Sequence, residues 1–143
     1  MSIEKALIEA IMEVYQSKGV GKFFSINFLE ETDGQFVFEV RFPSDCLNPQ
    51  GNVQGGMITS VLDDCTALCV LFSTKGKRFP NSTDFHTTYH RPLSLEPAII
   101  TASILKMGKN IVSVEGKVFK EKNKLVASCL HTGFLFDTHG MKK

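Results

Sequence analysis

The chain has no tryptophan and no Cys-x-x-Cys pair, and nowhere do about 18 apolar residues run together without a charge. Each absence closes a class of function. No paired thiols exist, and no histidine follows at zinc-finger spacing, so Cys46, Cys65, Cys69 and Cys129 form neither a zinc motif nor a redox dithiol. They read as small buried hydrophobes, which fits a reducing cytoplasm. Without a long apolar run no membrane span is expected; the longest stretch, 68–72, is far too short. The start, Met-Ser-Ile-Glu-Lys, lacks the basic region, apolar core and cleavage site of a secretory leader, so a cytoplasmic location is expected. Excess charge is lacking as well. Sixteen Lys and Arg against 15 Asp and Glu give a net +1, too little to pull the chain towards nucleic acid or an anionic bilayer. No internal repeat, low-complexity tract or linker interrupts the 143 residues, so one domain is expected over 1–143. That length buries a core without disulfides or metals.

What is present is periodic. Ile3, Ala6, Leu7, Ala10, Ile11, Val14 and Tyr15 predict an amphipathic helix over 2–17, with Ser2 as N-cap and Gly19 and Gly21 ending it. Phe24, Ile26 and Phe28 alternate before Asp33 and Gly34, and Phe36, Phe38, Val40 and Phe42 alternate after them, which reads as an antiparallel hairpin. A long helix is predicted over 55–73. Strands follow over 81–91, 98–107, 110–120 and 125–137, with turns at Gly108-Lys109 and at 121–124. Helix, two strands, long helix and about four strands make an α+β fold, the long helix lying on one face of an antiparallel sheet.

Residues 48–56, Asn-Pro-Gln-Gly-Asn-Val-Gln-Gly-Gly, lead into that helix. A glycine pair at a helix start lets a ligand approach unpaired N–H groups at the positive end of the helix dipole. At 100° per residue, Met57, Ile58, Val61, Leu62, Cys65, Leu68, Cys69 and Phe72 form the sheet-facing arc. The opposite arc holds Gly56, Thr59, Ser60, Asp63, Thr66, Ala67 and Val70, with no Lys, Arg or Glu, as expected for close approach of a second subunit or a ligand. Asp63 is central to this small face. Asp64 falls at the edge of the apolar arc, where a structural hydrogen bond is expected. Ser82, Asp84, His86, Thr88 and His90 share one strand face by period two. His86 and His90 have no identifiable third metal ligand, and His131 alternates within an apolar strand as a satisfied buried residue. No metal site and no Gly-x-Ser-x-Gly elbow is evident.

These residues carry a family resemblance. Cys46-Leu47-Asn48, Gly51, Gln54-Gly55-Gly56 and Asp63 resemble the His-x-Asn-x-x-Gly-x-x-His-Gly-Gly…Asp pattern of the hotdog-fold acyl-CoA thioesterases of the phenylacetate-pathway, PaaI-like kind. Ser82-Thr83-Asp84, Tyr89-His90-Arg91-Pro92 and Lys106-Met107-Gly108-Lys109 also fit, and the similarity covers roughly 24–137, after an extra N-terminal helix over 1–20. Two positions depart from the pattern: the first histidine is Cys46, and the histidine before Gly-Gly is Gln54. Glutamine forms hydrogen bonds but does not shuttle a proton near neutral pH.

The resemblance implies a hotdog fold, a long central helix wrapped by an antiparallel sheet of about six strands. It implies hydrolysis of acyl-CoA thioesters in a homo-oligomer, a dimer or a dimer of dimers, with sites across the subunit seam. Gly55 N–H would polarise the thioester carbonyl, Asp63 of the partner would activate water or attack directly, Ser82 would hold that water, and Asn48 would position thioester or water. Gln54 and Gly56 would contact substrate. Coenzyme A enters as part of the substrate and no separate cofactor is implied. Lys75, Lys77 and Arg78, or Arg91, Lys106 and Lys109, are candidate partners for its phosphates, and Phe79 or Phe85 for an acyl channel. A non-catalytic acyl-CoA-binding hotdog module is the alternative; a hydratase is disfavoured because the central helix has no histidine to pair with Asp63.

Overall fold

Hydrophobic period sets the order of elements, and a computed structural model describes them over residues 4–138. They are α1 (Lys5–Gln16), α2 (Gly19–Phe24), β1 (Ile26–Thr32), β2 (Gln35–Val40), α3 (Gly55–Ser73), β3 (Arg78–Tyr89), β4 (Ala98–Met107), β5 (Ile111–Lys120) and β6 (Lys124–Asp137). The strands form a six-stranded antiparallel sheet in the order β1-β2-β4-β5-β6-β3. The chain therefore leaves β2, crosses the sheet as α3 and returns on the far edge as β3. Both β1 and β3 keep one unpaired edge.

The chain contains the hotdog arrangement that its motifs imply, the helix seated against a curved sheet. Val61, Leu62, Cys65, Leu68 and Phe72 of α3 are buried against Ile100, Ala102, Val112, Val114 and Val118 of β4 and β5. The Phe72 ring meets those of Phe28, Phe36 and Phe38 at 5.4, 5.5 and 6.2 Å between centroids. Among the described residues α3 is the one helix long and apolar enough to cross a bilayer. Here it is the core helix of the sheet.

The β1–β2 hairpin forms where expected. Asp33 and Gly34 take φ of 51° and 82° between the paired residues Thr32 and Gln35. Two positive φ values make the turn whose twist matches that of the strands.

The N-terminal region differs from expectation. Ser2 lies outside the described residues. Gly19 (φ 69°) separates α1 from a second helix, α2, so Phe24 ends a helix and edges onto Phe42 at 5.7 Å instead of opening β1. Gly21 does not break the helix; a Cβ there would stand 2.4 Å from the Tyr15 ring, so this glycine makes room for that tyrosine. The exposed face of α3 is also smaller than its period suggests. Thr66, Ala67 and Val70 are 0%, 8% and 0% exposed, because the sheet curls over Thr66 and Ala67 faces a groove it shares with Ala10, Ile11 and Val14 of α1. Gly56, Thr59, Ser60 and Asp63 keep partial access to solvent.

Asp64 fills the structural role expected of it, since Tyr15 Oη donates to its Oδ2 and ties α1 to α3. Burial, reinforced by the neighbouring Asp63 charge, raises the Asp64 carboxyl to about 6 although the tyrosine bond opposes the shift. A carboxyl raised above its unfolded value of 3.8 stabilises the fold while protonated, and that contribution is lost as pH rises from about 4 through 6. Asp64→Asn keeps an acceptor for Tyr15 but does not titrate. The parent's melting temperature relative to Asp64→Asn is therefore expected to fall between pH 4 and 7, measured by thermal melts across that range; a constant difference refutes the assignment.

Candidate active site

The site begins with an irregularity in β3. Ser82 pairs with Gly133 and Asp84 with Thr132, leaving Thr83 as an inserted bulge residue. The bulge shifts the alternation. Before it Ser82 faces α3; after it Phe85, Thr87 and Tyr89 do. Asp84, His86, Thr88 and His90 point outward, with His86 against Thr88 at 3.5 Å and His90 against Ser128 at 3.0 Å. The single polar face expected for Ser82 through His90 is thus divided, and Ser82 alone of that set reaches inside.

What Ser82 reaches is His131 of β6, 1% exposed. Ser82 Oγ lies 2.6 Å from His131 Nε2, and Thr66 Oγ1 lies 2.7 Å from Nδ1. Thr66 donates to the carbonyls of Leu62 and Asp63, at 2.8 and 3.0 Å. Its proton is committed there, so its oxygen accepts from Nδ1–H. Nε2 is then bare and accepts the Ser82 hydroxyl. Burial lowers the His131 pKa, and the opposing charge of Asp63 does not reverse that, so the ring is neutral at neutral pH. Asp63 Oδ1 stands 3.8 Å from Nε2 with half of its side chain exposed. The carboxylate thus borders a buried ring of directional, uncharged groups. His131 is satisfied and buried as expected; its place between Ser82 and Asp63 is the feature that sequence reasoning missed, because it depends on the pairing of β3 with β6.

The glycine segment forms the other half of the arrangement. Asn48 Oδ1 accepts from the backbone N–H of Gln50 and Asn52 at 3.0 and 3.1 Å, so the side-chain oxygen staples the loop and Nδ2 is left out of that staple. Val53 and Gln54 tie the loop to Leu93 O and Cys46 O at 2.8 and 2.9 Å. Gln54 is the N-cap of α3 and makes no side-chain cap bond; its Oε1 lies 3.0 Å from where a Gly56 Cβ would stand. Among the described residues no acceptor takes the N–H of Gly55 or Gly56. These unpaired donors stand at the positive end of the helix. Gly55 and Asp63 are eight residues apart on one helix, roughly 12 Å along its axis.

The remaining candidates separate by position. Arg78 sits beside Thr74 at the C-terminal end of α3, with Nε 3.2 Å from Asp137 Oδ1 and Nη2 3.3 Å from Leu135 O and 3.4 Å from Lys109 O. Lys77 is exposed beside it, its carbonyl accepting Thr138 N–H at 2.9 Å. Arg91 stands at the other end, where its Nη1 donates to Leu125 O at 2.8 Å. The length of α3, roughly 28 Å, separates Arg91 from Lys77, Arg78 and Lys109. Phe85 lies 4.7 Å from the His131 ring, whereas Phe79 packs on Phe136 and lines the α1–α3 groove. Cys46, in the position of a family histidine, is 1% exposed, and burial raises its thiol, helped by Asp45. Burial also pushes Cys69 and Cys129 to about 12, so neither supplies a thiolate.

Known proteins share this fold. Residues 50–127, from the glycine loop through α3 into β6, match the family described as Thioesterase superfamily. Human acyl-coenzyme A thioesterase 13 is 26% identical over 138 residues, spanning 94% of this chain and 97% of its own. A putative thioesterase of Ralstonia eutropha, described as phenylacetic acid degradation-related, superimposes with TM-score 0.79 at 22% identity over 90% of this chain and 98% of its own. A Streptococcus mutans protein solved bound to acetyl-CoA superimposes with TM-score 0.70 at 18% identity over 78% and 89%. With its glycine-led core helix, its wrapped sheet and a family match over more than half its length, the chain belongs to the thioesterase superfamily, and it is a hotdog-fold thioester hydrolase.

Proposed function

We propose that this protein hydrolyses acyl-CoA thioesters at a site shared by two copies, with Gly55 N–H of one copy polarising the carbonyl and Asp63 of the other activating water. The observation that carries the reading is the half-exposed Asp63 carboxylate beside buried His131, on the same helix as the unpaired N–H groups but about 12 Å from them. One carbonyl needs its donor and its attacking water each at about 3 Å. One chain therefore supplies only half of the chemistry at any one carbonyl, and a second copy brings the other half. The open edge of β3, the strand that bears Ser82, supports such an arrangement. The human relative's name and the acetyl-CoA held by the Streptococcus mutans protein support the choice of thioester.

The chemistry follows. Water attacks the thioester carbon while Asp63 takes its proton; the C–S bond breaks and coenzyme A leaves as thiolate, to be protonated on release. Ser82 donates its hydroxyl hydrogen bond to His131 Nε2, so its oxygen is left to accept a hydrogen bond from the water and aim it. This placing favours water over Asp63 itself as the nucleophile. Asn48 Nδ2 orients the thioester, Gln54 and Gly56 flank it, and Arg91 at the same end of α3 attracts the phosphates. Neither Gln54 nor Cys46 is asked for a proton, and the scheme uses no separate cofactor. A fixed oxyanion donor contributes roughly 10²–10³ in rate and a positioned base roughly 10²–10⁴.

Mixing two inactive variants tests the shared site. In Asp63→Asn and Gly55→Val refolded together, half of the dimers are hybrids and each hybrid has one intact site, so about a quarter of parental activity is expected to return. Hybrids that form without recovered turnover refute the shared site; a parent that turns over no acyl-CoA refutes the substrate.

A further inference from the structure

Tyr89 is exposed over 49% of its surface, yet its hydroxyl donates to Gly55 O at 2.8 Å and also meets Thr59 Oγ1. Thr59 Oγ1 also lies 3.0 Å from Thr87 Oγ1. The tyrosine ring covers the first residue of α3: a Cβ on Gly55 would stand 3.1 Å from its Cζ and 3.3 Å from its Cε1. The end of β3 is thereby bound to the start of α3 by a chain of hydroxyls ending on a peptide carbonyl. The first turn of a helix lends its carbonyls to the next turn but leaves its own N–H groups unpaired, and it is free to fray. Here the Gly55–Gly56 peptide, flanked by two glycines, is the most pliable unit of the helix.

We propose that Tyr89 is the positioning residue of the oxyanion site. Its hydroxyl fixes the plane of the Gly55–Gly56 peptide, and with it the direction of the Gly56 N–H, while its ring closes the Cβ side of Gly55, so the thioester carbonyl approaches the Gly55 and Gly56 N–H groups from the side away from the ring. This rests on the function proposed above and adds a side chain that the motif resemblance leaves without a role. Pre-aligned donors stabilise the developing oxyanion because they need no reorganisation during the reaction. Loss of the hydroxyl should therefore fall on kcat and spare substrate binding.

The test uses the full chain and a chain-length series of acyl-CoAs. Tyr89→Phe keeps the ring and removes the hydroxyl; kcat is expected to fall about tenfold while KM stays within about twofold. A merely structural tether would lower the melting temperature and leave kcat intact well below it. The second readout is a cycle with Gly55→Ala. In the parent the new methyl crowds the ring, at 3.1 Å from Cζ, and pushes it off its place, whereas in Tyr89→Ala the space is empty, so the kcat loss from Gly55→Ala should be several-fold smaller in that background. Parental kcat in Tyr89→Phe, or strictly additive losses in the cycle, overturn the assignment of Tyr89 alone. A parent with no acyl-CoA turnover overturns it together with the proposed function.

Discussion

Asp63→Asn is expected to lower kcat by about 10²–10⁴-fold, the range a positioned general base supplies, with the melting temperature and oligomer unchanged. The argument is one of environment. The carboxylate is half exposed, so its replacement by an isosteric amide buries no new polar group. It lies 3.8 Å from His131 Nε2, a nitrogen already occupied by the Ser82 hydroxyl, so the local hydrogen bonds persist without the charge. What is lost is the ability to accept a proton from water. The next residue provides the control: Asp64 is one step round the helix, bound to Tyr15 and turned away from the cluster. Steady-state assays of purified Asp63→Asn and Asp64→Asn, with thermal melts of each, decide the matter. Similar activity losses in both variants, with intact oligomers, would contradict the separation of the two faces.

The largest expected effect on stability belongs to Phe72→Ala. Phe72 is 1% exposed and its ring contacts Phe28, Phe36 and Phe38, so one truncation empties the junction of α3 with β1 and β2. The expected cost is about 3–5 kcal/mol, a large share of the roughly 5–15 kcal/mol that holds a typical domain folded. Urea unfolding at fixed protein concentration measures it, since association adds to apparent stability. A cost below about 0.5 kcal/mol, the level of an ordinary surface change, would mean that the four-ring cluster is not the keystone of this end of the core.

Local signals carried much of this fold. Residues 55–73 were legible as a helix because a glycine pair opens an apolar period with no proline inside it, and α3 has those bounds. The first hairpin followed from Asp33 and Gly34, and the end of β4 from the turn at Gly108-Lys109. The short helix α2 was not legible: six residues with two glycines carry no period, and the helix exists because Tyr15 and Phe42 receive Gly21 and Phe24. Asp63 stood out as a carboxylate on a face of small side chains, and the structure leaves it accessible. That face is narrower than its period implied, because curvature of the sheet, which no local pattern encodes, buries Thr66 and Val70. The same limit hid His131 and Tyr89. Both act through α3 across long stretches of chain, 65 residues from Thr66 to His131 and 34 from Gly55 to Tyr89, and a one-residue bulge decides which side chains of β3 turn inward.

The position of β3 at the margin of the sheet joins two properties of the protein that are usually separate. Among the described residues it pairs with β6 on one side only, and a bare strand margin is a template for indiscriminate self-association. Under the proposed function, the strand that carries Ser82 and Tyr89 is also the one that becomes sticky when copies come apart. Selection for solubility and selection for turnover then act on the same seam, and a seam-weakening substitution would be met first as precipitation rather than as a quiet loss of rate.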